Sequence, residues 1–386
     1  MQQLNKVSYK KIQLPFKVKK AILAVGSQGK NALCFAEGNS AYVSPVHPDL
    51  SSLADFLAFQ KAVKFFLKKD PKIIACDLHP EYESTKYARS LNLAHRRLES
   101  VQHHHAHIAS CMAENNLKNQ KVIGVAFDGT GLGDDNTLWG AEFLTCDYKN
   151  FTRRGHLKTI PLLGQERAIR EPWRLAAIWL YWLYKDRFLE LGLTFTKKIN
   201  KQKWQVLKNM YLAGFNSPSA SSMGRLFDAA ASLILAKSRA GFEGELAIKL
   251  EKLAAGHLPA GRQAKTHGTS YRFNIIKKDG VYIIEPLPMF KEIVRDLKKG
   301  LPKEDIASCF HTAIAKMISR VCVILRKDTR INKVVLSGGV FQNKLLLKLS
   351  LSLLYKQGFK VFIHQKLSSN DSGIALGQLA IANFRS

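Results

Sequence analysis

No two cysteines of this chain form a CxxC pair: Cys34, Cys76, Cys111, Cys146, Cys309 and Cys322 are scattered over 386 residues. That spacing excludes a zinc ribbon, argues against a disulfide framework, and reads as reduced thiols in a cytoplasmic protein. No run of about 18 apolar residues occurs, so neither a transmembrane helix nor a membrane partner is expected. The start, MQQLNKVSYKKIQLPFKVKK, is basic and has no apolar h-region before AILAVG, so no secretion signal is expected. Acidic residues are also scarce, 30 against 59 basic, for a net charge of +29. Such a field attracts nucleic acid, nucleotides or acidic partner proteins. The basic residues are dispersed, as in FFLKKDPK, TKKINKQK and LKKGLPK, with no aromatic-interleaved RNA motif. A solvated lysine-rich surface is the plainer reading, and nucleic acid is not the expected partner.

What is present points to a globular α/β chain. Hydrophobic residues make up 46%, and the length suits two or three domains. Short strands joined by glycine turns are predicted over 20–45, then an amphipathic helix in DLSSLADFLAFQKAVKFFLKKD with Asp49, Ser51 or Ser52 as cap. KIIACDLHP reads as a buried strand, YESTKYARSLN as a short helix and RLESV as a short strand. HHHAHIASCMAENN then starts a helix. KVIGVAFDGTGLGDDNTLWGAEFLTCDY is strand, Gly-rich turn, strand, and echoes AILAVGSQGKNALCFAEG, which suggests a duplicated architecture. Residues 170–250 are helix-rich, GHLPAGRQAKTHGTS reads as a loop, and EDIASCFHTAIAKMISRVCVILRK is a long helix. KVVLSGGVFQNKLLLKLSLSLLYKQG is strand, Gly-Gly turn, helix. KVFIHQ is a strand and SNDSGIALGQLAIANF a final helix.

Five stretches carry candidate chemistry. In VQHHHAHIAS, four of the twelve histidines fall within five positions. His103 and His107 stand four apart, so on a helix they share one face and can share one metal; His104 and His105 point elsewhere. The alternative is a partly exposed His-rich turn without metal. In AFDGTGLGDD, Asp128 ends a strand before Gly129, Thr130 and Gly131, a turn that lets backbone amides approach a phosphate while the acid faces a cation; an ordinary Asp-Gly hairpin is the alternative. In VVLSGGVFQNKLL, Gly338 and Gly339 place bare amides before a helix, an anion site or simply a tight connection; the motif is neither a Rossmann GxGxxG nor a P-loop. Asp371 in SSNDSGIALGQ is a metal carboxylate or an N-cap. In REPWR and MGRLFD, Arg170, Glu171 and Arg174 can pair or grip an anion, and Arg225 can pair with Asp228 three residues on or reach a substrate.

Taken together, VQHHHAHIASCMAEN, VIGVAFDGTGLGDDNTLWGAEFL, AIREPWRLA, SSMGRLFDAAASL, FEGELAIKLE, VLSGGVFQNKLLL and NDSGIALGQ run in the order found in the carbamoyltransferase region of the HypF hydrogenase-maturation family, which the chain resembles from about residue 20 to 382. The resemblance implies two ribonuclease-H-like lobes of the actin, sugar-kinase and Hsp70 type with a nucleotide between them. The first lobe would span 1–118, ending in the histidine helix. The second would span 119–386, with a helical insertion at about 165–300. It implies that His103, His107, Asp128 and Asp371 hold a divalent metal, iron or zinc, and that Gly129, Thr130 and Gly131 line the phosphate. Gly338, Gly339 and Asn343 would face the adenosine, and Asp128, Arg170 and Arg225 would serve the reaction. The implied reaction moves a carbamoyl group from carbamoyl-adenylate to the C-terminal cysteine of a HypE-like acceptor.

Family members at full length also carry an acylphosphatase domain, paired CxxC fingers and a YrdC-like adenylating domain. None of these is readable here, so either another polypeptide, such as a separate HypF portion, supplies the adenylate, or the chain is one piece of a split protein, or it is a fragment. A second departure is PLLGQERAIREPWR, where Gln165 replaces the family's second glycine. Two alternatives stand beside this reading: a transferase similar to the universal tRNA threonylcarbamoyladenosine enzyme, and a non-catalytic nucleotide-binding subunit of a split HypF.

Overall fold

The computed structural model describes residues 9–91, 95–256 and 270–386. Its first sheet opens with β1 (Lys10–Ala24), followed by a small ladder of β2 (Gly29–Asn31) with β4 (His47–Asp49). β1 runs antiparallel to β3 (Cys34–Val43) and parallel to β5 (Ile73–Asp77), which in turn is parallel to β6 (Arg97–Val101). The second sheet repeats this pattern. β7 (Val122–Leu132) is antiparallel to β8 (Leu138–Cys146) and parallel to β14 (Lys333–Ser337), and β14 is parallel to β15 (Lys360–Phe362). The duplication suggested by the two Gly-turn units is therefore a duplication of strand order.

Two sequence expectations change here. Strands are expected from residue 20, yet residues 10–20 already form the first part of β1. Ile12, Leu14 and Val18 are buried between exposed lysines, and that two-residue alternation is a strand signal. The Gly129–Gly131 stretch is not the hairpin turn. β7 runs on to Leu132 with an irregularity between Phe127 and Gly131, and the reversal comes later. There Asp135 Oδ1 accepts from Thr137 N, Thr137 Oγ1 and Trp139 Nε1. A bulged strand keeps its glycines beside the core instead of at a loop tip.

The helices form three layers. α1 (Leu53–Leu67) and α2 (Glu83–Ser90) cover the outer face of the first sheet, where Phe59, Val63 and Phe66 of α1 meet Leu23, Phe35 and Ile74. α3 (His103–Glu114) and α13 (Ile374–Arg385) lie between the sheets, in a core shared by Ile22, Ile108, Val122, Val335 and Leu379. The outer layer of the second sheet holds α4 (Glu166–Arg170), α5 (Trp173–Tyr184), α6 (Thr194–Lys197), α7 (Lys201–Leu212), α8 (Met223–Leu235) and α9 (Glu245–Ala255). It also holds α10 (Leu287–Lys298), α11 (Lys303–Thr329) and α12 (Lys344–Lys356). α11 is long and apolar enough to cross a membrane by length and composition alone, but its apolar residues are mostly buried in this core.

The stretch at 165–300 carries strands among its helices. Its β11 (Ser219–Ser222) joins β8 and the short β10 (Ile160–Pro161), while β12 (Asn274–Lys278) and β13 (Val281–Glu285) extend the second sheet past β9 (Phe151–Leu157). Beyond the boundary at 118/119, α13 packs back on α3 and on β1, β3 and β5. Most of the loop expected at 256–270 lies outside the described residues.

Candidate metal centre

The histidine helix begins one residue after β6. Gln102 caps it, its side-chain oxygen accepting from His105 N at 3.0 Å. His103 is thus the first helical residue and His107 follows one turn later on the same face, with ring centroids 5.0 Å apart. All four histidines are buried, against the alternative of an exposed turn. His105 turns away and donates through Nε2 to Asp147 O at 2.6 Å, and His104 lies against Trp139.

β7 brings Asp128 to this face. Its Oδ2 lies 3.0 Å from His107 Nε2 and 3.4 Å from His103 Nε2. Its Oδ1 accepts from Gly129 N at 2.8 Å and from Gly339 N at 3.1 Å, so one carboxylate joins the histidines to both glycine motifs. Asp371 arrives from the turn before α13, with Oδ1 at 3.5 Å from His107 Nε2 and 3.8 Å from His103 Nε2. It is not the cap; Asn370 Oδ1 accepts from Ser372 N instead. The four donor atoms lie within 4.8 Å of one another. Two imidazole nitrogens and two carboxylate oxygens suit zinc or iron(II), and a tetrahedral set at bond lengths of about 2.0–2.1 Å needs only a small contraction. The histidines and Asp128 are enclosed, while Asp371 is about a quarter exposed and marks the open side.

The electrostatics agree with that chemistry. Burial alone would lower the proton affinity of His103, but Asp77, Asp371 and Asp128 outweigh it and hold the imidazole well above its ordinary value. His107 is raised as well, against burial, by Asp128 and Asp371. Burial would raise Asp128, yet the two histidines hold it well below the carboxylate range. So much buried negative charge requires a positive partner, either a proton on imidazole or a cation.

Other expected residues are placed differently. Gly131 packs against the rings, since a Cβ there would stand 2.8 Å from His103 Cδ2 and 2.7 Å from His104 Cε1. It makes room for imidazole. Gly129 faces Glu243 and Arg225, and Thr130 is half-buried beside it. Arg225 is buried and paired, with Nε 3.0 Å from Asp228 Oδ2 and Nη2 donating to Glu243 Oε1 at 2.9 Å. Arg170 is spent on the carbonyl of Gly241, at 3.0 Å on the surface. Asn343 is also spent: its Oδ1 accepts from Leu346 N to cap α12, and its Nδ2 donates to His311 Nε2. Neither Arg170 nor Asn343 is brought into contact with the histidines and carboxylates of the cluster in these interactions.

Sequence reasoning missed Asp77 and Glu243. Asp77 could have been found as an acid at the end of a buried strand, followed by Pro80. A second gathering of Cys111, Glu114 and His364 is taken up structurally, because Glu114 accepts from Gln365 N and Leu367 N. A groove of about 1320 Å³ between β12–β13, α10 and α11 is lined by none of the candidate residues.

Comparison with known proteins agrees with this arrangement. The family model described as the HypF Kae1-like domain matches residues 17–114, and that described as the carbamoyltransferase Kae1-like domain, second subdomain, matches 124–378. A carbamoyltransferase HypF of Synechocystis sp. is 34% identical over 383 residues, covering 95% of this chain and 48% of that protein. A carbamoyltransferase HypF homolog of Cupriavidus necator is 35% identical over 367 residues, covering 94% of this chain and 91% of that protein. The crystal structure of full-length HypF in its phosphate- and nucleotide-bound form shares 38% identity at a TM-score of 0.88, over 97% of this chain and 57% of that one. The chain thus spans about half the length of the Synechocystis relative but nearly all of the shorter homolog. With two lobes of the actin and sugar-kinase type and this sequence likeness along almost its whole length, the chain belongs to the HypF carbamoyltransferase family.

Proposed function

We propose that this chain is the carbamoyl-transfer module of hydrogenase maturation, acting in the cytoplasm on the C-terminal cysteine of a HypE-like acceptor. The convergence of His103, His107, Asp128 and Asp371 carries the reading. These residues would hold iron or zinc, which when bound supplies Lewis-acid charge toward the phosphate and carbamoyl oxygens of carbamoyl-adenylate. Gly338, Gly339 and Gly129, lacking side chains, would let the nucleotide approach the backbone closely beside Asp128. Arg225, tied to Glu243 beside Gly129, would set the local positive charge. The acceptor's sulfur attacks the carbamoyl carbon, the bond from that carbon to the adenylate oxygen breaks, and AMP departs with the electron pair. No thiol of this chain is suited to the attack: all six cysteines are buried, and burial pushes those of Cys34, Cys111, Cys146 and Cys322 up. The adenylate would come from a YrdC-like adenylating activity.

The test supplies synthetic carbamoyl-adenylate and a HypE-like acceptor and looks by mass spectrometry for one carbamoyl group on the terminal cysteine. His103→Ala and His107→Ala should each lower zinc affinity at least about 100-fold and abolish transfer, while His105→Ala keeps both. Equal metal content in all three variants sinks the metal site. Transfer to tRNA adenosine instead of protein would favour the threonylcarbamoyl reading, and nucleotide binding without any transfer would favour the non-catalytic one.

A further inference from the structure

Asp77 ends β5 and is fully buried. Its two oxygens go in different directions. Oδ2 lies 2.8 Å from His103 Nδ1, on the side of the ring opposite the metal-facing Nε2. Oδ1 accepts from the backbone N–H of His79 at 2.9 Å. That bond closes a turn in which the His79 ring lies flat on Tyr82, with centroids 4.2 Å apart and planes 2° apart. The turn is fixed at further points: Glu81 N donates to His79 Nδ1 at 3.2 Å, and Thr85 Oγ1 donates to the Asp77 carbonyl at 3.2 Å. Among the described residues, His107 makes its carboxylate contacts through Nε2 only, so the two histidines are not equivalent.

An imidazole can present a lone pair at Nε2 only if its remaining proton sits on Nδ1, and a buried carboxylate at Nδ1 enforces that tautomer and raises the basicity of the other nitrogen. We propose that Asp77 is a positioning residue. It locks His103 in the Nδ1–H form with Nε2 directed at the cation, and through His79 it ties the His79–Tyr82 stack to the same helix. This rests on the metal reading above, and it makes that reading unequal: His103 is the oriented ligand, and the turn after β5 is part of its support. Asp77 itself touches neither metal nor substrate.

The experiment titrates the metal-free chain with zinc against a chromophoric chelator, and with cobalt(II) for spectroscopy. Asp77→Asn, which keeps shape and removes charge, should weaken zinc about 10–100-fold. Thr85→Ala loosens the same turn without touching His103 and should leave the affinity unchanged. In the cobalt-loaded wild type, the His103 Nδ1 proton should appear as a paramagnetically shifted exchangeable resonance, slow to exchange and lost in His103→Gln. Asp77→Asn should speed its exchange. If wild type binds zinc and Asp77→Asn binds it equally well, the inference is overturned. If Asp77→Asn and Thr85→Ala weaken binding alike, the role is merely structural and the inference is also overturned. If Asp77→Asn does not fold, the wild-type spectrum decides, since a rapidly exchanging Nδ1 proton rules the lock out. A wild type that binds no zinc at all overturns the metal reading instead.

Discussion

At the scale of single residues, the clearest case is a departure from the family pattern. Gln165 stands where the resemblance leads one to expect glycine, and its backbone holds φ 53° and ψ −118° before α4. A side chain in that region costs about 1–3 kcal/mol, which glycine avoids. Glycine also gives up conformational freedom on folding, so Gln165→Gly should stabilise the chain by only about 1 kcal/mol, read as a higher urea midpoint at unchanged slope. Gly338 shows the opposite: at φ 104°, a Cβ would fall 2.1 Å from Phe127 O. The turn there is written in glycine because backbone, not side chain, is the neighbour. Residue chemistry was legible wherever short spacing enforces it. His103 and His107 announce a shared face by themselves. Asp371, remote in sequence, read by itself as either a metal carboxylate or an N-cap, and only the likeness of motifs joined it to the histidines; Asp77 went unseen because a lone acid after an apolar strand has no partner in the string of letters.

At the scale of elements, α3 and α13 form the hinge of the site. Gly377 allows their backbones to touch: a Cβ there would lie 1.8 Å from Ala106 O and 2.8 Å from Ser110 N. Ser110 Oγ also donates to Gly373 O at 2.7 Å across the same seam. Gly377→Ala must push the helices apart and carry Asp371 away from the histidines. Thermal unfolding should show a loss of about 3 kcal/mol or more, and zinc affinity should fall although no ligand has changed. α11 and α12 meet through His311, which donates from Nδ1 to Ala307 O at 2.8 Å and accepts at Nε2 from Asn343. Burial lowers this imidazole from 6.5 to about 4. Its folded value lies below its unfolded one, so the unfolded chain takes up the proton first. The contribution is complete above about pH 6.5 and is lost as pH falls toward 4, at most roughly 3 kcal/mol. Chemical denaturation at pH 7 and pH 5 should show a flatter dependence in His311→Gln than in wild type. The sequence gives His311 no distinction, since only the helix pairing reveals what it joins. It also hid the first part of β1, because five lysines between 10 and 20 mask the alternation of buried Ile12, Leu14 and Val18.

At the scale of the whole molecule, two copies of one strand order face each other across a shared helical layer, with the candidate metal residues at its end. The net charge of +29 surrounds this arrangement. Association with an acidic acceptor should therefore slow about tenfold between 50 mM and 500 mM salt, with dissociation little changed, as stopped-flow measurement would show. A polyanion such as tRNA should also bind and be released by salt, without modification of its adenosines. The duplication was legible in outline from two glycine turns. The interleaving of the lobes was not, because no local pattern in IALGQLAIANF says which sheet it will cover.

That interleaving has a consequence for synthesis. A ribosome releases the first sheet, the histidines and Asp128 before α11, α12, Asp371 and α13. Until α13 follows, the inner face of the first sheet lacks its cover by that helix, and the histidines lack the carboxylate of Asp371. The candidate centre therefore cannot close before every other described element has been made. Closing contacts between residues as far apart as Gly26 and Gln378, bonded through backbone and amide at 2.9 Å, is the step that commits the chain to its final form.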